Sequence, residues 1–166
     1  MKMEVCTWPE EVLSAKAAHV GELTPELDKL IADMVETMYE SDGVGLAAPQ
    51  VGESLRLICV DPTGPKVRGD LRVLINPEIV ERGDEEVDSE EGCLSCPELS
   101  VKVKRNKRVK VTALDREGRE VVIDTDDFLA IVLQHEIDHL DGMTLADRLG
   151  RLKKAMYRKR AERWKK

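Results

Sequence analysis

The first regular pattern of apolar residues along the chain has the spacing of an α-helix. Its positions recur at short helical intervals: Leu27, Leu30, Ile31, Met34, Val35 and Met38. Thr24 and Pro25 precede the pattern, and a capping hydroxyl followed by proline is typical of a helix start. Ser41, Asp42 and Gly43 follow the pattern and end it. We therefore predict an amphipathic helix between Thr24 and Ser41 whose apolar stripe faces the core.

The middle of the chain has the patterns of β-strands. Residues 55–60 and 73–76 are short apolar runs, and the loop between them is rich in glycine and proline. Between residues 101 and 113, valines alternate with Lys and Arg, which is typical of half-solvated antiparallel strands. A turn at 115–118 and a returning strand at 120–124 complete this region.

Two further helices are predicted in the last third of the chain. One begins at Thr125 or Asp126, where either side chain can cap it, and ends at Gly142. The other begins at about Asp147 and has one apolar edge, formed by Leu149, Leu152 and Met156. Helices at both ends of a strand-rich middle predict the α+β fold class. We expect antiparallel sheets packed around the central helix, with N-terminal and C-terminal helices beside them.

Length and composition place the chain among single-domain proteins. A chain of 166 residues can bury a core of its own, so we expect one domain over 1–166, with 147–166 as its basic C-terminal helix. No apolar run is long enough to cross a membrane, and the first residues lack the pattern of a signal peptide. Four cysteines are spread through the chain, which favours a reducing compartment over a disulfide framework. We expect a cytoplasmic protein.

Charge is distributed unevenly along the chain. The formal net charge is −7, yet the segment from Arg148 to Lys166 contains ten basic residues and only one acidic residue. That segment carries +9, which leaves −16 for the rest of the chain. The acidic body argues against a general nucleic-acid binder, so the basic segment needs its own explanation.

The candidate chemistry begins with residues 135–139, which read His-Glu-Ile-Asp-His. On a helix, positions four apart lie on one face, so His135 and His139 can hold the same metal ion. Glu136 stands beside them and can handle a proton on a metal-bound water. Because a catalytic metal usually has three protein ligands, a third ligand must come from elsewhere.

Three sources of the third ligand can be weighed. The metzincin pattern HExxHxxGxxH is followed as far as Gly142, but Leu145 replaces its last histidine, which excludes that family. Another protease class uses a downstream glutamate, which here is Glu162. It lies among Lys and Arg residues, where a solvated ion pair is the favoured role. Cys93 is the remaining candidate, since a thiolate is a strong ligand for iron or zinc.

Cys93 belongs to a C-x-x-C sequence that ends at Cys96. This spacing can indicate a redox pair or half of a zinc site, but a second C-x-x-C is absent from the chain. In an extended strand, residues three apart point to opposite faces. We therefore expect Cys96 to face away from the metal and to fill the core as a small apolar residue.

Three segments together resemble the peptide deformylases. They are Gly-Val-Gly-Leu-Ala-Ala-Pro-Gln at 43–50, Glu-Gly-Cys-Leu-Ser at 91–95 and the helix motif at 135–139. The resemblance extends from about Thr24 to about Asp147. It implies that Cys93 completes the metal site, with Fe(II) in the cell and Zn, Ni or Co as alternatives. It also implies that metal-bound hydroxide attacks a formyl carbon, with Glu136 as general base and then general acid.

The resemblance implies a substrate and the residues that bind it. The substrate would be an N-formylmethionyl peptide, and the products would be formate and a free amine. The donors to the oxyanion would be the side-chain amide of Gln50 and the backbone N–H of Leu94. The peptide would pair with backbone near Val44 and Gly45 on one side and with Gly92 on the other. Its first side chain would enter a pocket formed by Val44, Phe128, Ile131 and Val132.

One departure from the family and two rival hypotheses remain at this point. Ser100 stands near a position that is basic in many members, and Lys102 could substitute for the missing charge. A small zinc metalloprotease is the rival enzyme, and it would need Glu162 as a ligand. The rival hypothesis that is not an enzyme is a ribosome-associated binding module with no activity.

The basic C-terminal helix predicts docking to ribosomal RNA, and no membrane partner is expected.

Overall fold

Seven strands and four α-helices make up residues 1–164, the part of the chain that the computed structural model describes. The strands are β1 (Gly45–Ala47), β2 (Leu57–Val60), β3 (Arg72–Arg82), β4 (Glu86–Cys93), β5 (Cys96–Asn106), β6 (Val109–Leu114) and β7 (Glu120–Thr125). The helices are α1 (Pro25–Glu40), α2 (Gly64–Val67), α3 (Phe128–Leu140) and α4 (Arg151–Ala161). Short 3-10 turns occupy 11–14, 48–51, 145–148 and 162–164.

The strands form two separate antiparallel sheets. Five of them pair in the order β1-β2-β3-β6-β7, so β1 and β7 are its edges. The other two, β4 and β5, form a long hairpin that pairs with nothing else among the described residues. An unpaired edge offers backbone N–H and C=O groups to an incoming extended chain. The free edges of β1 and β4 therefore matter for what the molecule can bind.

Helices α1 and α3 cover opposite faces of the five-stranded sheet. Alternation along β2 shows this directly, because Ile58 and Val60 pack with α3 while Leu57 and Cys59 pack with α1. A strand that is buried on both faces reads as a continuous apolar run, which is why 55–60 lacks alternation. The central helix is thus enclosed in the core, and the α+β prediction with antiparallel sheets and flanking helices is confirmed.

Helix α1 confirms the first prediction from the apolar pattern. The hydroxyl of Thr24 accepts a hydrogen bond from the N–H of Leu27 at 3.2 Å, and Pro25 occupies the first turn. The helix ends at Glu40, before the cap residue Ser41. Its buried stripe is formed by Leu27, Ile31, Met34 and Met38, together with Thr37 and Tyr39.

The predicted strands lie at the expected positions in the chain, but β3 is longer than predicted. The run predicted at 73–76 is the start of β3, which continues to Arg82, and the glycine- and proline-rich loop contains the single turn α2. The hairpin strand β4 had no pattern of its own, because its outward residues are mostly acidic. In β4 and in the second half of β3 most residues are exposed or partly exposed, and such a segment carries few apolar positions to recognise.

The C-terminal helix begins later than predicted, and the predicted apolar edge is not the side that packs against the rest of the protein. A 3-10 turn occupies 145–148, and α4 begins only at Arg151. The buried side of α4 is Tyr157 and Ala161, whereas Leu152 and Met156 are 75% and 60% exposed. Tyr157 stacks on Trp8 from the N-terminal segment, with ring centroids 5.6 Å apart. This aromatic contact, invisible in the helical spacing, decides which face packs inward.

A third cluster of apolar residues joins the segment 8–13 and helix α4 to the β4–β5 hairpin. It contains Trp8, Leu13, Cys96, Val101, Val103, Leu145, Ala146, Tyr157 and Ala161. Within the described residues, no helix is long and apolar enough to cross a membrane.

Candidate metal centre and active site

Helix α3 positions two histidines on one buried face. It begins at Phe128, and its cap is Asp127 rather than the predicted Thr125 or Asp126. The Asp127 carboxylate accepts hydrogen bonds from the N–H of Leu129 at 3.1 Å and from the Thr125 hydroxyl at 2.5 Å. The predicted cap Thr125 thus supports the helix through Asp127, since its hydroxyl reaches the carboxylate that caps the first turn.

Cys93, His135 and His139 form the candidate metal centre. Their ligand atoms all lie within 4.8 Å of one another, and no other such group of three occurs among residues 1–164. Cys93 Sγ lies 3.4 Å from His139 Nε2. Bond lengths of about 2.0–2.1 Å for nitrogen and 2.3 Å for sulfur place two ligands of one tetrahedral ion roughly 3.5 Å apart. The donor atoms therefore fit a single divalent cation.

The neutral state of His139 favours metal coordination. Burial lowers the pKa of His139 to about 3, so its imidazole is neutral at physiological pH. Burial also works to lower the pKa of His135, but the carboxylates of Glu136 and Glu91 raise it overall. The Nδ1 of His139 and the Oε1 of Glu136 are buried, and no described residue gives either a hydrogen-bond partner.

A chain of alternating charges orients His135. Its Nδ1 lies 2.9 Å from Glu91 Oε1, which leaves Nε2 free for a metal. Arg105 donates to both oxygens of Glu91, at 2.7 and 2.9 Å. Asp138 accepts hydrogen bonds from Arg105 and from Arg148, each at 2.7 Å.

Burial alone would raise the pKa of Glu91, but Arg105 and His135 hold it at about 2. Glu91 therefore stays ionised beside the histidine.

The carboxylate of Glu136 is buried against the backbone of β1. A Cβ built at Gly45 would lie 2.6 Å from Glu136 Oε2, so only glycine leaves room for this side chain. Glu136 Oε2 is also 4.0 Å from His135 Nε2. Burial raises the pKa of Glu136 to about 7. A carboxyl with that pKa can both take up and release a proton near neutral pH.

Gln50 is a fixed part of the site and not a loop residue exposed to water. It is 1% exposed, and its Oε1 accepts the N–H of Ala47 at 2.9 Å. That bond fixes the orientation of the amide, so Nε2 faces the site. Nε2 donates to Ser95 Oγ at 3.1 Å and approaches Cys93 Sγ at 3.5 Å. A donor aimed at the cluster is therefore present.

A cavity of about 460 Å³ opens onto this cluster. Every residue that the sequence singled out for the site lines the cavity, except His139: Val44, Gly45, Gln50, Gly92, Cys93, Leu94, Phe128, Ile131, Val132, His135 and Glu136. His139 lies behind the cavity wall and is 1% exposed. Residues of both edge strands, β1 and β4, line the cavity. An extended peptide could pair with both.

The structure packs Cys96 in the core, as predicted, but the strand-spacing argument that led to this prediction is wrong. Leu94 and Ser95 form a turn, so Cys93 and Cys96 are not three residues apart along one strand. They face each other as the last Cα pair of the β4–β5 hairpin. Cys96 is also packed in the third apolar cluster, as a core residue should be. The period-two argument failed because the chain reverses direction between the two cysteines.

Other candidates from the sequence lie away from the cluster. Glu162 is exposed in the last 3-10 turn and is not part of the metal-ligating group. Ser100 donates a hydrogen bond from its hydroxyl to Glu90 at 2.8 Å. Glu90 lines the cavity, so this position carries an acidic side chain, whereas many family members were expected to have a basic one. Lys102 is the cross-strand neighbour of Glu90 and is exposed.

Glu91, Arg105, Asp138 and Arg148 were not predicted as site residues. Glu91 and Asp138 stand inside the two quoted motifs, so their positions next to ligands were a usable signal. Arg105 had no such signal, because it is one of many Lys and Arg residues between 102 and 110. Its burial, at 3% exposed, distinguishes it only in the folded chain.

An α+β fold with two histidines and a buried carboxylate on one HExxH helix, and a cysteine from a neighbouring strand, is typical of metal-dependent hydrolases. The family model described as polypeptide deformylase matches residues 2–155. A peptide deformylase of Thermodesulfovibrio yellowstonii is 49% identical over 158 residues, which cover 95% of each chain. The chain belongs to the polypeptide deformylase family and is an enzyme of that family.

Solved structures agree with this assignment. A crystal structure of a peptide deformylase from Legionella pneumophila has a TM-score of 0.91 at 41% identity, covering 99% of this chain and 95% of that one. The peptide deformylase from Ehrlichia chaffeensis in complex with actinonin has a TM-score of 0.91 at 33% identity, covering 99% and 98%. The likeness extends over the whole fold, including both sheets and the helices around them.

Proposed function

We propose that the chain removes the N-formyl group from the N-terminal formylmethionine of newly made polypeptides and releases formate. The observation that carries this proposal is that the Cys93, His135 and His139 cluster and the buried carboxylate of Glu136 meet at a cavity that is also lined by residues of two edge strands. The cluster and the carboxylate supply hydrolytic chemistry. The edge strands supply a place for an extended peptide.

The two histidines and Cys93 would hold one divalent cation, which would activate water for attack and polarise the formyl oxygen. We propose Fe(II) as the cation in the cell, while Zn, Ni or Co would suit the same donors in a purified sample. Glu91 keeps His135 oriented through Nδ1, which supports this assignment. All four thiols are free, which supports a reducing cytoplasm as the place of action.

Glu136 is proposed to take the proton from the attacking water and then to pass it to the departing amine. Its burial and its pKa of about 7 support both transfers. Gln50 Nε2 and the backbone N–H of Leu94 are proposed to stabilise the oxyanion. Gln50 already directs its amide at the cluster, and Leu94 lies in the turn that follows Cys93.

The formylmethionine side chain is proposed to occupy the apolar part of the cavity. Val44, Ile131 and Val132 line it, and Phe128, 52% exposed, stands at its mouth. The peptide backbone would pair with β1 near Val44 on one side and with Gly92 of β4 on the other. The actinonin complex of the Ehrlichia chaffeensis relative supports ligand binding by this fold.

The deciding experiment measures formate release from formyl-Met-Ala by anaerobically prepared protein, with bound metal measured on the same sample. We expect turnover that depends on stoichiometric metal. Cys93→Ser should lose both metal and activity, because an alcohol is a much poorer anionic ligand than a thiol. Glu162→Ala is the matched control and should change neither. Retained metal in Cys93→Ser, with loss in Glu162→Ala, would support the metalloprotease instead.

Docking to ribosomal RNA through the basic C-terminal segment is a further part of the proposal. Arg151, Lys153 and Lys159 are exposed on α4, whereas Lys154 and Arg160 pair with Asp147 and Glu98. Lys165 and Lys166, which the sequence also assigned to this role, lie outside the described residues. Exposed bases can contact phosphates, and such contacts weaken with salt.

The docking test must leave the fold intact. Deleting α4 would remove Tyr157 from the core, so we choose the triple substitution of Arg151, Lys153 and Lys159 to Gln. It should abolish salt-sensitive co-sedimentation with ribosomes and leave turnover of formyl-Met-Ala intact. The control neutralises an equal number of exposed bases elsewhere, namely Lys66, Arg116 and Arg119. Equal sedimentation of the two triple variants would contradict the docking proposal.

A further inference from the structure

We propose that Cys93 and Cys96 form a site of reversible oxidation, at which a peroxide converts the two thiols into a disulfide. The site combines an accessible thiol that lines the cavity with a buried thiol directly opposite it on the neighbouring strand. Nothing in deformylation requires the second thiol, because the candidate metal centre is complete with Cys93, His135 and His139.

The hairpin geometry already suits a disulfide. Cys93 and Cys96 are Cα partners across the turn formed by Leu94 and Ser95. Directly opposed residues of antiparallel strands have Cα atoms roughly 4.5–5.5 Å apart, which lies within the range of about 4.4–6.8 Å found in disulfides. The backbone of the hairpin therefore holds the two cysteines at a separation that suits a disulfide.

The difference in exposure between the two thiols determines which of them reacts with the oxidant first. Cys93 lines the cavity, so a small oxidant that enters the cavity reaches its sulfur. Cys96 is 1% exposed and packs in the third apolar cluster, where solvent oxidant cannot reach it directly. Cys93 is thus the thiol that is attacked, and Cys96 is the thiol that resolves the product.

The reaction balances with one molecule of hydrogen peroxide. The Cys93 sulfur attacks a peroxide oxygen, so an S–O bond forms, the O–O bond breaks, and a sulfenic acid and water result. The Cys96 sulfur then attacks the Cys93 sulfur, the S–S bond forms and the S–O bond breaks. The hydroxyl group leaves as a second water with the proton of Cys96. The two thiols lose two electrons, and the peroxide gains them.

The consequence for the enzyme rests on the proposed function. A sulfur bound in a disulfide is no longer an anionic ligand, so the metal would be left with two histidines and would dissociate. Reduction of the disulfide restores both thiols. Without Cys96, the sulfenic acid at Cys93 would proceed to the sulfinic acid, which thiols do not reduce. Cys96 therefore converts a permanent loss of the metal ligand into a recoverable one.

The test exposes the holoenzyme to hydrogen peroxide and follows mass, metal and activity together. Cleavage after Lys and Arg yields one peptide, residues 83–102, that contains both cysteines and no other cysteine. We expect this peptide to lose two hydrogen masses as the metal is released to a chelator. Dithiothreitol followed by fresh metal should restore the mass and the activity.

Variants separate this proposal from simple damage and from the proposed function. Cys96→Val and Cys96→Ser should form no disulfide, should accumulate the sulfinic acid at Cys93, and should not recover with dithiothreitol. Cys6→Ser removes a thiol outside the hairpin and should behave like the unsubstituted chain. Oxygen addition at Cys93 with Cys96 still free in the unsubstituted chain, and recovery no better than in Cys96→Val, would overturn the proposal. The mass change is read without any activity, so failure of deformylation leaves this result intact.

Discussion

At the scale of single residues, burial changes the acid–base behaviour of Glu136. It is 5% exposed, and burial raises its pKa to about 7 while His135 lies beside it. A carboxyl in water would be too weak a base to remove a proton from water efficiently near neutral pH. The core thus supplies both the position and the basicity of this group.

Replacement of this carboxyl by its amide tests the role directly. Glu136→Gln should bind metal normally but lower kcat/KM for formate release by at least about 100-fold, because an amide cannot accept the proton. Metal content and turnover measured on the same preparation check this. Turnover within a few-fold of the unsubstituted chain would remove Glu136 from the mechanism.

Gly45 makes room for that carboxylate, which gives a second prediction at this scale. In Gly45→Ala the new Cβ would lie 2.6 Å from Glu136 Oε2, so the carboxylate or β1 must shift. A displacement of about 1 Å at a reacting group can cost roughly 10²-fold in rate. Steady-state kinetics should show that loss in kcat, with metal retained. Gly21→Ala is the control, because a Cβ at Gly21 meets no atom within 4 Å.

At the scale of elements, Asp61 ties α1 to the end of β2. It is fully buried and accepts hydrogen bonds from the hydroxyls of Tyr39 and Thr63, each at 2.6 Å. Burial works to raise the pKa of Asp61, but the hydrogen bonds from Thr63 and Tyr39 outweigh it and lower the pKa overall. A carboxylate with a depressed pKa in the folded state stabilises the fold most where it is ionised.

Asp61→Asn should therefore destabilise the protein in a pH-dependent way. Near neutral pH we expect a loss of about 1.5–3 kcal/mol, the range for hydrogen bonds to a charged group. The difference should shrink as pH falls below about 4, where the unfolded carboxyl protonates, and through the lower pKa of the folded state. Urea unfolding at pH 7 and pH 3 measures it. The same difference at both pH values would contradict the assignment, and exposed Asp84→Asn serves as control.

At the scale of the whole molecule, Trp8 and helix α4 pack against the hairpin that carries Cys93. Tyr157 stacks on Trp8, meets Trp164 edge-on at 5.5 Å, and donates its hydroxyl to the carbonyl of Pro97 at 2.9 Å. Pro97 follows Cys96 directly. The C-terminal helix therefore supports the strand beside the candidate metal centre, and the two cannot be treated as independent parts.

Substitutions at two adjacent positions of α4 distinguish the packing of Tyr157 from the contribution of the helix itself. Tyr157→Ala should cost about 3–5 kcal/mol of unfolding free energy, as expected for loss of a buried aromatic ring. Met156→Ala, at an exposed position on the same helix, should stay within about 0.5 kcal/mol. Chemical denaturation of both variants gives the comparison. Equal costs would mean that the helix does not pack through Tyr157.

The sequence by itself determined the features that depend on a few neighbouring residues. The cap at Thr24, the apolar stripe of α1 and the placement of two histidines on one helical face follow from local spacing and backbone geometry. The three motifs also indicated the family, because each is a short segment whose chemistry requires those residue types. Local spacing was less reliable where a turn intervened, as between Cys93 and Cys96.

Only the tertiary structure decided the features that join distant parts of the chain. Glu91 meets His135 across 44 residues, and Arg105 meets Asp138 across 33, so no local pattern could reveal either contact. The burial that raises the pKa of Glu136 and the choice of Tyr157 over Met156 depend in the same way on surfaces brought together by folding. The physical reason is that desolvation, ion pairing and side-chain packing are set by neighbours in space, which the order of residues specifies only through the complete fold.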